Sequence, residues 1–367
     1  MKIITKDHKI TKSSQLLDSI FTSGSVFFDI ETTGLSPDKS FVYLIGMAIR
    51  TPSGFKSIQL FAETPDNEPE LLKYFCEYIE NKETLISFNG YRFDMPFIKK
   101  RCKNYNITVP VINHLDILKQ LKTVPKILSV ENYKQKTLES FLSIIRDDIY
   151  NGKELINVYY DYIKSSDVSL FDCLILHNLE DVCNMTLLVD ILAYTYIFYD
   201  TFDYSTLLSY KINEYKDIDG KLSTELILTF NLKYDLPIPI SKLSNEIYFK
   251  ASSNILSLSI KMQQNQLKHF IKDYKNYYYF PDEDTAMHKS VAVYADKSHR
   301  QKCNVRNCYI KKDSLFLFDP GKLYEPVFRC NYESKEYYMD FNDSKDKLKD
   351  TLSEYIHSIL KYQFNQK

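Results

Sequence analysis

Net charge is almost absent from this chain of 367 residues, since 47 lysines and arginines face 48 aspartates and glutamates. No global polyelectrolyte signature exists, so a nucleic-acid partner cannot be argued from charge balance. Long apolar runs are missing as well. No stretch approaches the roughly 20 apolar residues of a bilayer crossing, and Met1 to Ile20 lacks the continuous apolar run of a secretory signal. A cytoplasmic protein with no membrane association is expected. The seven cysteines (Cys76, Cys102, Cys173, Cys183, Cys303, Cys308 and Cys330) contain no C-x-x-C pair. Their odd number and spacing speak against structural zinc and for reduced thiols. No internal repeat, collagen-like period or low-complexity tract is visible, which removes solenoid architectures.

What remains is ordinary globular composition, 44% hydrophobic and 26% charged, in a chain long enough for two cores, because single cores tend to split beyond about 250 residues. Strands are expected at Ser25 to Ile30 and Val42 to Arg50, joined by a turn at Gly34, Pro37 and Asp38, then around Ile58 to Phe61 and at Thr84 to Phe88. Asp66 to Glu80 has Leu71, Leu72, Phe75 and Ile79 on one helical face. Helices are further expected at Met95 to Cys102, His114 to Leu121, Thr137 to Ile145, Glu154 to Ile163 and Ser169 to Tyr196. This order predicts an α/β domain with a mixed sheet flanked by helices over residues 1–200.

Near Asp200 the pattern changes, and Tyr204 to Gly220 lacks a long apolar face, so a boundary is placed there. Residues 201–367 are read as a second, smaller, Tyr-rich α+β domain. Its expected short strands are Asn276 to Phe280, Ser290 to Tyr294, Cys308 to Lys311, Leu315 to Phe318, Pro326 to Cys330 and Tyr337 to Phe341, before a helix from Lys345 to Tyr362. Tyr274 to Phe280 sets aromatics beside lysines, a pattern suited to stacking bases in a single-strand groove and equally to a strand with tyrosines on both faces.

The chemistry is concentrated in acids. In Asp29-Ile30-Glu31 two carboxylates lie two residues apart on a strand and leave the same face. Asp94 follows the fourth strand, and His177 and Asp181 are i and i+4 on one helix face. The stripe of Ile175, Leu179, Val182, Thr186 and Val189 is expected to face the core. Each element alone has an everyday reading, as strand end, helix cap or solvated helix face. Together they form the carboxylate cluster that two-metal nucleases need to hold divalent ions about 3.5–4 Å apart. Oxygen ligands favour magnesium or manganese over zinc. His177, whose ordinary pKa is near 6.5, is the best candidate base.

D-I-E-T-T-G-L, F-N-G-Y-R-F-D-M-P and H-N-L-E-D-V resemble the three exonuclease motifs of the DEDD superfamily, over roughly residues 23–195. The nearest resemblance is to bacterial YprB-type ribonuclease-H-like proteins, with a similar third motif and an L-Y-Y-D-Y stretch matched by Val158 to Tyr162. That resemblance implies a ribonuclease-H-like fold and 3′-5′ exonuclease action on single-stranded DNA or RNA. It also implies two Mg2+ or Mn2+ ions held by Asp29, Glu31, Asp94 and Asp181, with His177 on the attacking water. Thr32, Thr33, Gly34, Leu35, Asn89, Tyr91 and Asn178 would contact the strand. His177-x-x-x-Asp181 departs from the better-known branches by combining histidine with the tyrosine-branch spacing, so the resemblance does not fix the role of His177. A nucleic-acid-binding module without turnover and a structure-selective endonuclease stay open beside it.

Overall fold

A computed structural model of the chain describes residues 1–216 and 220–365, so residues 217–219 of the expected boundary segment lie outside it. One compact unit comprises Met1–Ile197 with Tyr234–Ile238, and the other comprises Phe198–Lys233 with Pro239–Lys367.

In chain order the first unit contains β1 (Lys2–His8), α1 (Gln15–Ile20), β2 (Ser25–Thr32), β3 (Val42–Thr51), β4 (Gly54–Phe61), α2 (Glu68–Ile79), β5 (Thr84–Ser87), α3 (Asp94–Asn104) and β6 (Asn113–Asp116). There follow α4 (Ile117–Leu121), α5 (Gln135–Phe141), α6 (Gly152–Ser165), α7 (Val168–Leu188) and α8 (Ala193–Tyr196). One mixed sheet runs β1-β4-β3-β2-β5-β6. Its first four strands pair antiparallel, and β5 and β6 continue it in parallel. The architecture is the expected α/β, ribonuclease-H-like mixed sheet flanked by helices.

Period-two alternation sorts the sheet into rows. Phe28, Met47 and Ile58 are paired across β2, β3 and β4, and Phe28 packs 5.6 Å from Phe75 of α2, ring centre to ring centre. Burying one such side chain contributes about 1.5–3 kcal/mol. The next row is Asp29, Gly46 and Gln59. It points to the opposite face, where α7 lies against β2, β3 and β4.

Two expectations in this unit are corrected. His114 to Leu121 is not one helix: Asn113–Asp116 forms strand β6, paired with β5, and only Ile117–Leu121 is helical. Leu115, Ile117, Leu118 and Leu121 satisfy helical spacing, but the open edge of β5 supplies ladder hydrogen bonds that a helix start there would forfeit. On α7 the expected stripe holds at Val182, Thr186 and Val189, which are buried, but not at its start, where Ile175 and Leu179 are half-buried and Leu174, His177 and Asn178 take the buried positions. Within Val158 to Tyr162, Tyr159 and Tyr162 are buried; Tyr159 stacks 4.2 Å from Tyr43 and donates to the Ala62 carbonyl. Among the described residues no helix is long and apolar enough to cross a membrane.

The second unit is smaller and β-rich. After β7 (Leu207–Lys216) come β8 (Leu222–Ser244) and β9 (Ile247–Phe270), followed by β10 (Tyr277–Phe280), β11 (Thr285–His288), α9 (Lys289–Ala292), β12 (Gln301–Lys302), β13 (Tyr309–Phe318), β14 (Tyr338–Asp340), α10 (Phe341–Asp350) and α11 (Leu352–Asn365). A five-stranded sheet has the order β14-β13-β9-β8-β7, and β11-β10-β12 form a small second sheet. The long strands β8 and β9 were not expected. Ser290–Tyr294, expected as a strand, begins inside the helical turn α9, and Pro326–Cys330 makes only isolated bridges. The expected strands Cys308–Lys311 and Leu315–Phe318 are one strand, and the expected last helix is two.

Candidate metal centre

Strand β2 delivers Asp29 and Glu31 to the face covered by α7. The backbone above them is held by the second acid-bearing segment. The parallel ladder between β2 and β5 ends at Phe27 and Ile86, which leaves the Ile30 amide without a strand partner on that side. Oδ1 of Asp94, the first residue of α3, accepts that amide at 3.2 Å. The aspartate is thus tied to β2 rather than capping its own helix with its side chain.

From the other side comes α7. Its close approach requires Gly46, because a Cβ there would stand 2.2 Å from Oδ1 of Asn178 and 2.7 Å from Cγ2 of Val182. The Asn178 amide nitrogen donates to Asp29 Oδ2 at 3.2 Å, and its oxygen accepts from Gln59 Nε2 at 3.1 Å. Asn178 is fully buried. Its amide therefore stands behind the carboxylates, away from any surface a strand could reach. The adjacent His177 reaches with Nε2 to 3.2 Å from Asp181 Oδ2 and 3.5 Å from Glu31 Oε1. Ligand atoms of Glu31, His177 and Asp181 all lie within 4.8 Å of one another.

The electrostatics follow from crowding acids in a dry place. Burial, with Asp181, Asp94 and Glu31 nearby, pushes Asp29 well above the usual carboxylate range. Burial pushes Glu31 up to about 8, with Asp181, Asp94 and Asp148 adding to it and His177 opposing. Asp94 is pushed up to about 7 by burial against the pull of backbone N–H groups. Asp181 moves the other way: burial would raise it, but His177 and Arg146 hold it below its ordinary value. Burial alone would strip His177 of its proton, yet Asp181, Glu31 and Asp148 together raise it to about 9. Such a set of acids is stable when a cation compensates it. Glu31, His177 and Asp181, the three whose ligand atoms converge, therefore fit a divalent ion in donor chemistry and in charge.

A loop that no sequence pattern singles out completes the surroundings. Arg146, between α5 and α6, donates from Nη2 to Asp181 Oδ1 and from Nη1 to Glu139 Oε2 at 2.9 Å. Its Nε lies 3.5 Å from Asp148 Oδ2 and 3.6 Å from Glu180 Oε2. The buried Asp148 sits 2.8 Å from His177 Nδ1 and also pairs with Lys136. Burial would raise Asp148, but Lys136 and His177 bring it below its ordinary value. As a result His177 is bracketed by acids at both ring nitrogens. These partners lie 29 and 35 positions from His177 and Asp181 in the chain, and no motif or period marks their approach.

The remaining expected contact residues divide by exposure. Leu35, at 84% of its maximal exposure, stands out from the turn after β2. Thr32 and Thr33 spend their hydroxyls within that turn, Thr32 donating to the Gly34 carbonyl and Thr33 accepting from Phe41 N. Gly34 is pressed against Ser40, whose Oγ would lie 2.5 Å from a Cβ. Tyr91 is exposed and Asn89 half-buried, in a turn whose Asn89 and Tyr91 amides both donate to the Asp116 carboxylate at 3.0 Å. Asp116, also missed from sequence, thereby fixes Asn89 in a left-handed backbone with φ of 66°.

Residues 26–193 match a family model described as RNase_H superfamily. Among solved structures, the chain is similar to the family B DNA polymerase from the hyperthermophilic archaeon Pyrobaculum calidifontis, with 16% identity and a TM-score of 0.37 over 47% of this chain and 25% of that one. It is similar to Brucella melitensis NrnC with bound Mg2+, with 15% identity and a TM-score of 0.27 over 49% of this chain and 84% of the other. A structure described as the apo form of the nuclease gives 15% identity and a TM-score of 0.25 over 47% and 81%. No curated protein matches the chain.

Proposed function

We propose that the first unit is a metal-dependent nuclease that hydrolyses phosphodiester bonds, working as a 3′-5′ exonuclease on single-stranded DNA or RNA. The observation that carries this reading is the meeting of the Glu31, His177 and Asp181 ligand atoms within 4.8 Å, with Asp29 and Asp94 close to the same acids, on a ribonuclease-H-like sheet. A pair of magnesium or manganese ions held by the four acids would polarise the phosphoryl oxygens, activate water and stabilise the leaving oxygen.

The chain's own groups do the rest. Asn178 and the Ile30 amide fix the directions of the Asp29 and Asp94 carboxylates. His177 holds a proton under the pull of the Asp181, Glu31 and Asp148 carboxylates. Once those charges are balanced, the pull on that proton weakens and Nε2 becomes able to accept one from water. Asp148 keeps the ring oriented by accepting from Nδ1. Leu35 and Tyr91, exposed on the two motif turns, are suited to meet terminal bases. A cytoplasmic setting belongs to the same reading, with all seven cysteines free thiols.

The test is an assay on single strands labelled at the 3′ or the 5′ end, with magnesium or manganese. Stepwise loss of the 3′ label, abolished by Asp29→Ala, supports the reading. Intact strands under both metals overturn it, and cleavage of a circular strand would make the enzyme an endonuclease. One observation favours a second reading, a binding module without turnover: the Arg146 guanidinium already occupies Asp181 Oδ1. That reading predicts salt-sensitive binding without cleavage, unaffected by Asp181→Asn.

A further inference from the structure

The segment that carries Asp94 also forms one wall of a cavity of about 300 Å³, lined by Asn89, Tyr91, Arg92, Asp116, Lys119 and Lys122 with their neighbours. Asp116, buried, is the one acid in its lining. One of its carboxylate oxygens accepts the Asn89 and Lys119 amides, and the other accepts the Tyr91 amide. Three cations therefore outnumber the one acid in the lining. Arg92, Lys119 and Lys122 are all exposed, and among the described residues none of them forms an ion pair with a carboxylate. Like charges gathered in one concavity repel one another, and an anion relieves that repulsion. An aromatic surface is supplied beside them. Tyr91, 54% exposed, carries the Lys119 ammonium 3.5 Å from its ring centre.

Cations beside a half-exposed aromatic ring are the two parts of a single-strand site, in which phosphates are neutralised and bases stack without regard to sequence. The place is also suitable, because Arg92 precedes Asp94 by two residues on the turn held by Asp116. We propose that this cavity is a subsite for the substrate strand, taking a backbone phosphate among Arg92, Lys119 and Lys122 with the adjoining base against Tyr91. The proposal rests on the nuclease reading and specifies where the strand lies relative to the acids. It gives Lys119 and Lys122, on and just after α4, a role in binding and none in the chemical step.

The experiment is fluorescence anisotropy of an end-labelled single strand titrated with the full chain in calcium, a gel confirming that the strand stays intact. It compares the wild type, Lys119→Gln/Lys122→Gln and Tyr91→Ala. All the changes are on exposed side chains, so a circular-dichroism melt should be unaltered. The lysine pair should weaken binding at least tenfold and flatten the salt dependence, the slope of log K against log salt falling by about 0.7 for each phosphate that is no longer neutralised. Tyr91→Ala should weaken binding roughly fivefold or more, with the salt slope unchanged. Wild-type affinity and slope in the lysine variant would overturn the subsite and leave the nuclease reading standing. Failure of the wild type to bind any single strand would overturn both.

Discussion

The guanidinium of Arg146 donates to Asp181 Oδ1 while His177 Nε2 contacts Oδ2 of the same carboxylate, so the last acid of the cluster is held from both sides by cationic groups. This explains why Asp181 alone among the four candidate ligands is kept below its ordinary pKa. It also makes Arg146 a structural keystone, since Glu139 is buried against it. Arg146→Gln should cost about 3–5 kcal/mol in a urea melt, because a buried charge loses its partner. Adding Glu139→Gln should recover a large part of that loss; a double variant no more stable than the single one would show that the Glu139 charge is not the cause.

Metal and pH should act together on stability. Glu31 rises from an ordinary 4.5 to about 8 and Asp94 from 3.8 to about 7 on folding, so the folded protein keeps protons that the unfolded chain releases. His177, raised from 6.5 to about 9, contributes stability that is full below 6.5 and fades toward 9. All three have the same sign: the metal-free protein loses stability as pH climbs from about 4 to about 9. Bound cations require the carboxylates deprotonated. The Tm increment produced by manganese should therefore be larger at pH 8.5 than at pH 6, and an equal increment at both would refute the linkage.

Gly46 should tolerate no side chain. In Gly46→Ala the new methyl meets Asn178 Oδ1 and Val182 Cγ2 inside contact distance, pushing α7 and its His177 and Asp181 away from β2. We expect a loss of about 1–3 kcal/mol and of nuclease activity in the folded fraction. Wild-type stability and rate would mean that the helix does not pack there.

Asp148 should act through His177. Asp148→Asn removes one of the three carboxylates that retain the imidazole proton, so an NMR titration of the His177 ring should show its pKa lowered. An unmoved midpoint would deny the Nδ1 contact.

Legibility of the site followed the range of the interactions. Asp29 and Glu31 are neighbours on one face of a strand, and His177 and Asp181 on one face of a helix, so period two and period 3.6 are enough to pair them. The first half of the expected α7 stripe fails because the buried face there includes His177 and Asn178, polar residues that find their partners in the sheet and the loop only after docking. Arg146, Asp148 and Asp116 are invisible for a related reason: their partners are set by loop closure, which leaves no local pattern. In β8 the signal is present but masked. Leu226, Leu228, Phe230, Leu232, Tyr234 and Leu236 alternate and are all buried in β8. Lys233, Asp235, Pro237 and Pro239 between and beyond them lend that run the look of a loop.

Calorimetric titration of the metal-free protein with manganese tests most directly the proposal that Asp29, Glu31, Asp94 and Asp181 hold divalent cations. Saturable binding by the wild type, lost in Asp29→Asn while the circular-dichroism melt shows an intact fold, is the predicted result. No binding by the wild type, or undiminished binding by Asp29→Asn, would contradict it.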